Sequence, residues 1–328
     1  NNNNLQWGTS ELGQYFGIVS GDWFGFSVDI SGNGNALAAG SPSSPWANDN
    51  GYVKYWGPTQ QSPPENGITG GTDYGRNVVL SDDGWKLAIQ GATVIDVWDM
   101  QSYPKELITK YYGKNSSGMD FSNDGARVAF KVENGSHDPI RVFQGDTQIG
   151  QDIIHENNTT KYSGHAIALN QDGSIIAIST PVKVYEYNQF SNSWDQLGGT
   201  LEGSGLSRLI DDRENYFVGG NSGAIDLSDD GYTLAIGSYL EDNSVGVVRI
   251  FDWNGSNWLK RGDDILPPTV ISNSDGPTQG DQFGENIALS RDGKEIAIGA
   301  TGASNSNCGT TTCDGALFVY DIDQNESQ

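Results

Sequence analysis

Cysteine is nearly absent from this chain of 328 residues: there are two, Cys308 and Cys313. Histidine is almost as scarce, at His137, His155 and His165. Neither cysteine has a second Cys or His at zinc-ligand spacing, which argues against a structural zinc site. Basic residues are few as well. Against 42 Asp and Glu stand 18 Lys and Arg, a formal net charge of −24. Such a surface has few cations to exchange for counterions, so nucleic-acid binding and direct membrane insertion are set aside. No stretch approaches the ~20 apolar residues of a membrane-spanning helix. No signal peptide is visible, and the opening Asn1-Asn2-Asn3-Asn4 reads as a mature or trimmed form. Catalytic signatures are missing too. There is no phosphate-cradling glycine loop, no GxSxG elbow, and no partner at readable spacing for the histidines. The expectation is a protein that is not an enzyme and requires no cofactor.

Glycine and aromatics are abundant instead, with 44 Gly, 9 Trp, 14 Tyr and 11 Phe. That mixture suits short strands joined by tight turns, and it is too aromatic for a disordered chain. One signature recurs six times: Ser31-Gly-Asn-Gly34, Ser81-Asp-Asp-Gly84, Ser122-Asn-Asp-Gly125, Asn170-Gln-Asp-Gly173, Ser228-Asp-Asp-Gly231 and Ser290-Arg-Asp-Gly293. Four residues after each glycine stands an alanine: Ala38, Ala88, Ala129, Ala177, Ala235 and Ala297. Asp-Gly and Asn-Gly supply the positive φ that a tight hairpin needs. Apolar runs flank each turn, as strands covered on both faces should. The fixed alanine reads as a small residue where two sheets approach closely.

A third strand follows each hairpin after a variable loop: Tyr52–Trp56, Val94–Trp98, Ile140–Phe143, Val182–Tyr187, Val247–Phe251 and Ala316–Tyr320. A fourth is visible at Trp194–Leu197 and Trp258–Arg261. Four antiparallel strands per repeat make a propeller blade. The reading is one all-β domain over 1–328, a six-bladed β-propeller, with a seven-bladed ring as the alternative. Its repeats fall at about 22–57, 73–110, 111–150, 161–199, 216–262 and 281–328. The segment 1–13, through Leu5–Gly13, is expected to supply the outer strand of the last blade and close the ring.

The two cysteines lie close together in a polar loop and read as a loop-closing disulfide, which implies an oxidising compartment. Six glycosylation sequons, at Asn115, Asn134, Asn157, Asn158, Asn254 and Asn325, point the same way. An extracellular or cell-surface location is expected.

The segment Gly280-Asp-Gln-Phe-Gly-Glu-Asn-Ile-Ala-Leu-Ser-Arg-Asp-Gly-Lys-Glu-Ile-Ala-Ile-Gly-Ala300 resembles the FG-GAP repeat of integrin α-subunit propellers. Blade one echoes it with Phe24-Gly25 and Gly40-Ser-Pro42. The resemblance implies an extracellular adhesion or ligand-binding role. Calcium-binding repeats of that family resemble Asp-x-Asp/Asn-x-Asp-Gly-x-x-Asp. Three loops here carry a weakened form beginning at Asp29, Asp120 and Asp226, with Leu37, Val128 and Leu234 where the last acid belongs. Calcium wants six to eight oxygens, so these loops read as plain hairpin turns.

In such a blade the repeated turns share one face, and the long irregular loops share the other. Long loops on a rigid ring are where binding is usually placed. Trp23, Trp46 and Tyr239 are therefore candidate ligand-binding residues, with packing beneath the loops as the alternative. Asp22, Asp73 and Asp281 precede the aromatic-Gly step in three blades and are candidates to hold calcium, or else to cap backbone N–H groups. The expected function is a non-catalytic adhesion or binding module, part of a larger extracellular assembly, taking a protein or glycan ligand. The alternatives are a lectin-like propeller and a propeller hydrolase or lyase.

Overall fold

The computed structural model describes residues 17–18, 22–42, 50–57, 67–102, 105–112, 118–132, 138–154, 166–179, 182–201, 225–239, 241, 245–268, 282–302 and 315–323. Their strands form six antiparallel sheets, each a blade of a propeller. Blade one holds β1 (Ser27–Ile30), β2 (Leu37–Ser41), β3 (Tyr52–Trp56) and β4 (Ile68–Thr69). Blade two holds β5 (Asn77–Leu80), β6 (Lys86–Gln90), β7 (Val94–Asp99) and β8 (Glu106–Tyr112). Blade three holds β9 (Met119–Phe121), β10 (Arg127–Lys131), β11 (Ile140–Gln144) and β12 (Thr147–Ile153). Blade four holds β13 (Ile167–Leu169), β14 (Ile175–Ile178), β15 (Lys183–Asn188) and β16 (Ser193–Gln196). Blade five holds β17 (Ile225–Leu227), β18 (Thr233–Ser238), β19 (Val247–Trp253) and β20 (Trp258–Ile265). Blade six shows β21 (Phe283–Leu289), β22 (Glu295–Ala300) and β23 (Ala316–Asp321). The ring is thus six-bladed, and the expected third strands all fall where the alternating aromatics place them.

Four of the approximate repeat ends fall short of an outer strand. β4 lies beyond residue 57, so blade one is longer than its repeat. Tyr111 and Tyr112 close the outer strand of blade two and do not open the third repeat. β12 and β20 also run past residues 150 and 262. The expected closing strand at Leu5–Gly13 lies outside the described residues.

The core is a set of wedges between sheets. Five apolar clusters each join two consecutive blades. Tyr55, Val53, Val78 and Leu87 fill the first seam, and Phe283, Val248 and Ile298 fill the last. The recurring alanine lies at these seams, fully enclosed as Ala38, Ala88, Ala129, Ala177 and Ala235. A larger side chain there would overpack the wedge.

A second rule appears two residues past the alanine. Gly40 of blade one stands so near Gly75 of blade two that an added Cβ would lie 2.0 Å from the Gly75 carbonyl oxygen. Gly237 and Gly284 repeat the contact between blades five and six, at 2.1 Å. Each partner glycine belongs to an aromatic-Gly step: Tyr74-Gly75 with φ +87°, and Phe283-Gly284 with φ +86°. Blades three, four and five lack that step. Their preceding blades carry Gln90, Lys131 and Ser179 at the facing position, all buried. At these two seams the glycine motifs are halves of one interface, whereas Gly25 of blade one and Gly299 of blade six make no such contact.

The outer strands are fastened by tryptophan. Trp194 Nε1 donates to the Ile149 carbonyl (2.9 Å), and Trp258 Nε1 donates to the Leu197 carbonyl (3.0 Å). In each case the indole covers the glycine that follows the acceptor, Gly150 or Gly198, both at positive φ.

Candidate functional site

The turn face is built from its own hydrogen bonds. In five turns the first side chain donates to the third: Ser31 Oγ to Asn33 Oδ1, and Ser81, Ser122, Ser228 and Ser290 Oγ to Asp83, Asp124, Asp230 and Asp292, at 2.6–2.8 Å. The same Asp oxygen accepts a backbone N–H two residues on, as from Trp85 N to Asp83 (2.9 Å). This is the self-capping geometry that makes Asp and Asn good turn formers. The turn carboxylates are spent on the backbone.

The turns also bind each other. Asn33 N donates to Asp82 O (3.2 Å), Asp82 N to Asn123 O (2.7 Å), and Asp124 N to Gln171 O (3.0 Å). Gln171 N then donates to Asp229 O (3.1 Å), and Asp229 N to Arg291 O (2.8 Å). From blade two to blade six, the second turn residue accepts from the turn of the blade before it. Across the ring, Asn123 Nδ2 donates to Asp229 Oδ1 (2.8 Å), and the Arg291 guanidinium pairs with Asp82. Gly32 leaves the space for that guanidinium, since a Cβ there would collide with it.

Inside this ring lie the three aspartates that opened the weakened calcium loops. Each faces the recurring alanine on the inner hairpin: Asp29 opposite Ala38, Asp120 opposite Ala129, Asp226 opposite Ala235. Each carboxylate reaches forward to the inner strand of the next blade. Leu80 N donates to Asp29 (2.6 Å), Leu169 N to Asp120 (2.7 Å), and Leu289 N to Asp226 (2.7 Å). The clamps fall at alternate seams. The same register position holds Val79, Ala168 and Ala288 in the even blades. The residues keep partial exposure, while their carboxylates are enclosed and within electrostatic reach of one another. Burial pushes Asp29 and Asp226 up to about 6 and Asp120 up to about 8, despite the backbone N–H groups that favour the charged form.

On the opposite rim the candidates separate. Asp22 is a cap. Its carboxylate accepts from Ile18 N (2.7 Å) and Phe24 N (3.1 Å) and receives the Tyr52 hydroxyl. Tyr52 is pushed up to about 12, by burial first and then by this hydrogen bond. Asp73 does not occupy the equivalent place. With φ +55° it matches Trp23 (+56°) and Gln282 (+54°), the residue directly before each aromatic-Gly step. It pairs with Arg76 at 3.6 Å. The two described carboxylates are therefore not a matched set, and Asp281 lies outside the described residues. Tyr239 is 7% exposed, which removes it from a solvent-facing platform. That burial agrees with the alternative of packing beneath the loops. Trp23 is 48% exposed and stacks on Phe26, with ring centroids 6.0 Å apart. Trp46, Cys308, Cys313, Asn115, Asn134, Asn157, Asn158 and Asn325 lie outside the described residues. Asn254 is exposed at the tip of the β19–β20 hairpin.

One buried polar knot escaped the sequence reading. Tyr74 donates to Asp96 Oδ2 (3.0 Å) and accepts from Trp98 Nε1 (3.0 Å), while Lys110 pairs with Asp96 (3.1 Å). Asp96 is 3% exposed, so the knot serves the seam between blades one and two. Among the described residues, no group of three or more His, Cys, Asp or Glu is arranged to hold a metal ion.

No family model matches the chain, and no curated protein matches it. Solved structures share its fold. Kuenenia stuttgartiensis hydrazine synthase matches at 17% identity and TM-score 0.54, over 89% of this chain and 78% of that one. The Cps50 (Swd1) β-propeller domain of Myceliophteria thermophila matches at 11% identity and TM-score 0.55, over 93% and 85%. A Bacteroides uniformis protein, provisionally named a 6-phosphogluconolactonase, matches at 16% identity and TM-score 0.52, over 91% and 86%. At these identities the likeness carries the propeller fold and nothing finer.

Proposed function

We propose that this chain is a non-catalytic, extracellular binding module of the FG-GAP-like kind, with its ligand surface on the rim that carries the long loops. One observation carries the reading: Trp23 stands 48% exposed on that rim, held by a left-handed backbone (φ +56°) and backed by Phe26. A large aromatic already fixed in place loses little entropy on contact, which is what binding hot spots exploit. The turn face offers the reverse, because its Ser and Asp side chains are consumed by the turns themselves. The paired glycine motifs at Gly40–Gly75 and Gly237–Gly284 support the FG-GAP-like reading, since they give its two glycine positions one physical purpose. The ligand is a protein or a glycan, and calcium assistance is retained as part of the proposal. The named structural neighbours differ in what their names describe, so fold likeness favours no chemistry.

The test is binding of the whole chain to glycan and cell-surface protein arrays, with and without calcium, comparing Trp23→Ala with Trp85→Ala on the turn face. Loss of a captured ligand in the first variant alone supports the proposal. Loss in the second alone places the ligand on the wrong face and overturns it. Turnover of a captured sugar or lactone would make the protein an enzyme instead.

A further inference from the structure

Asp29, Asp120 and Asp226 stand at one register position in blades one, three and five, and each is hydrogen-bonded across a seam to the blade that follows. The seams so joined are one–two, three–four and five–six. The other described seams have no such clamp, because Val79 and Ala168 stand at that position. We propose that this channel set is a proton-operated latch: when protonated it lets the three blade pairs close on a common axis, and when ionised it pushes them apart.

Two opposing effects decide the direction. An ionised carboxylate accepts a backbone N–H more strongly, which tightens its own clamp. It also loses its hydration, and at Asp29 and Asp120 it lies within electrostatic reach of two like charges. Asp29 is faced by Asp226 and by Asp82 at the channel end, and Asp120 is faced by Asp226 and Asp29. The clamping partners on β5, β13 and β21 are backbone N–H groups, which carry no full charge. The cation at the channel end, Arg291, is already committed to Asp82, which in turn is near Asp229. Burial is the largest influence on all three carboxyls and outweighs their hydrogen bonds.

The sign follows from linkage. Groups whose folded pKa lies above the unfolded value make the native state bind more protons, so stability falls as pH rises through that interval. Here the interval runs from about 4, the unfolded aspartate value, up to about 6 for Asp29 and Asp226 and about 8 for Asp120. Ordinary surface carboxylates are ionised above roughly pH 6 and contribute nothing further. In the upper half of the interval the other ordinary titrating side chains are His137, His155 and His165.

The experiment follows the thermal midpoint of the full chain from pH 5 to pH 8.5, beside Asp120→Asn, Asp226→Asn and the exposed control Asp263→Asn. In the wild type and the control, the midpoint should fall by at least about 3 °C with rising pH. Both channel variants should flatten the fall, Asp120→Asn mostly above pH 6. Equal slopes in all four proteins would overturn the latch. Should the channel variants not fold, carboxyl carbon NMR of the wild type decides. Three aspartates titrating above pH 5 support the latch, and every aspartate titrating near 4 refutes it.

Discussion

Gly40 approaches the backbone of Gly75 across the first seam, and neither has room for a side chain: a Cβ on Gly75 would stand 2.6 Å from the Tyr52 carbonyl oxygen. A Cβ on Gly40 would stand 2.0 Å from the Gly75 carbonyl oxygen, and main-chain atoms cannot swing aside. Gly40→Ala and Gly237→Ala should therefore each destabilise the protein by about 1–3 kcal/mol or more, from overpacking. Gly71→Ala, where an added Cβ meets nothing within 4 Å, should change little. Urea unfolding checks all three.

Trp194 should behave as core and Trp23 as surface. Trp194 is 3% exposed, with its indole N–H bonded to Ile149. Its replacement by alanine should cost about 3–5 kcal/mol. Phenylalanine should recover much of that and leave the loss of one hydrogen bond, about 1 kcal/mol. Trp23→Ala should leave the thermal midpoint nearly unchanged while weakening ligand capture. Calorimetry with an array-identified ligand separates the two effects.

The turn carboxylates should matter to folding and not to calcium. Asp83 accepts from Ser81 Oγ (2.6 Å) and Trp85 N (2.9 Å). Asp83→Ala leaves both donors without that acceptor and should cost about 1–2 kcal/mol. Any heat of calcium binding should match the wild type. A lost calcium signal in this variant would return the turns to the list of metal sites.

Lys105 should titrate with the opposite sign to the channel. Its ammonium lies over the Tyr55 ring, 4.6 Å from the centroid, and burial lowers its pKa to about 8. The unfolded chain, near 10.5, then binds the extra proton. Stability should rise as pH climbs from about 8 toward 10 through this group alone. Lys105→Met should remove that rise, read as the difference in thermal midpoint between pH 8 and pH 10. Above pH 10 the raised Tyr52 and Tyr55 hydroxyls begin to oppose it.

Much of the ring was legible because its signals are local. Asp-Gly turns, apolar runs and aromatic-tipped third strands each reveal themselves within a few residues. The outer strands β4, β8 and β12 were not. Each is held mainly from one side, so Glu106–Tyr112 mixes exposed Leu107 and Ile108 with buried Tyr111 and shows little alternation. Asp29, Asp120 and Asp226 were noticed for the wrong reason. Their spacing to the turn suggested a metal loop, whereas their partners lie about fifty residues or more along the chain, at Leu80, Leu169 and Leu289. No window of neighbouring residues contains that pairing. The burial of Tyr239 is not local information either, since it depends on a tertiary cover.

The chain of backbone bonds from Asn33 through Asp82, Asn123 and onward has a consequence for how such a protein diversifies. From blade one to blade six each turn is keyed to the next, so one residue inserted in any of the four turns between them would throw both adjoining turns out of register. That rim is frozen in length, much as a gear cannot gain a tooth. Insertions are admissible where loops leave the second strand or link one blade to the next. New specificities on this scaffold should accumulate there while the keyed rim stays constant.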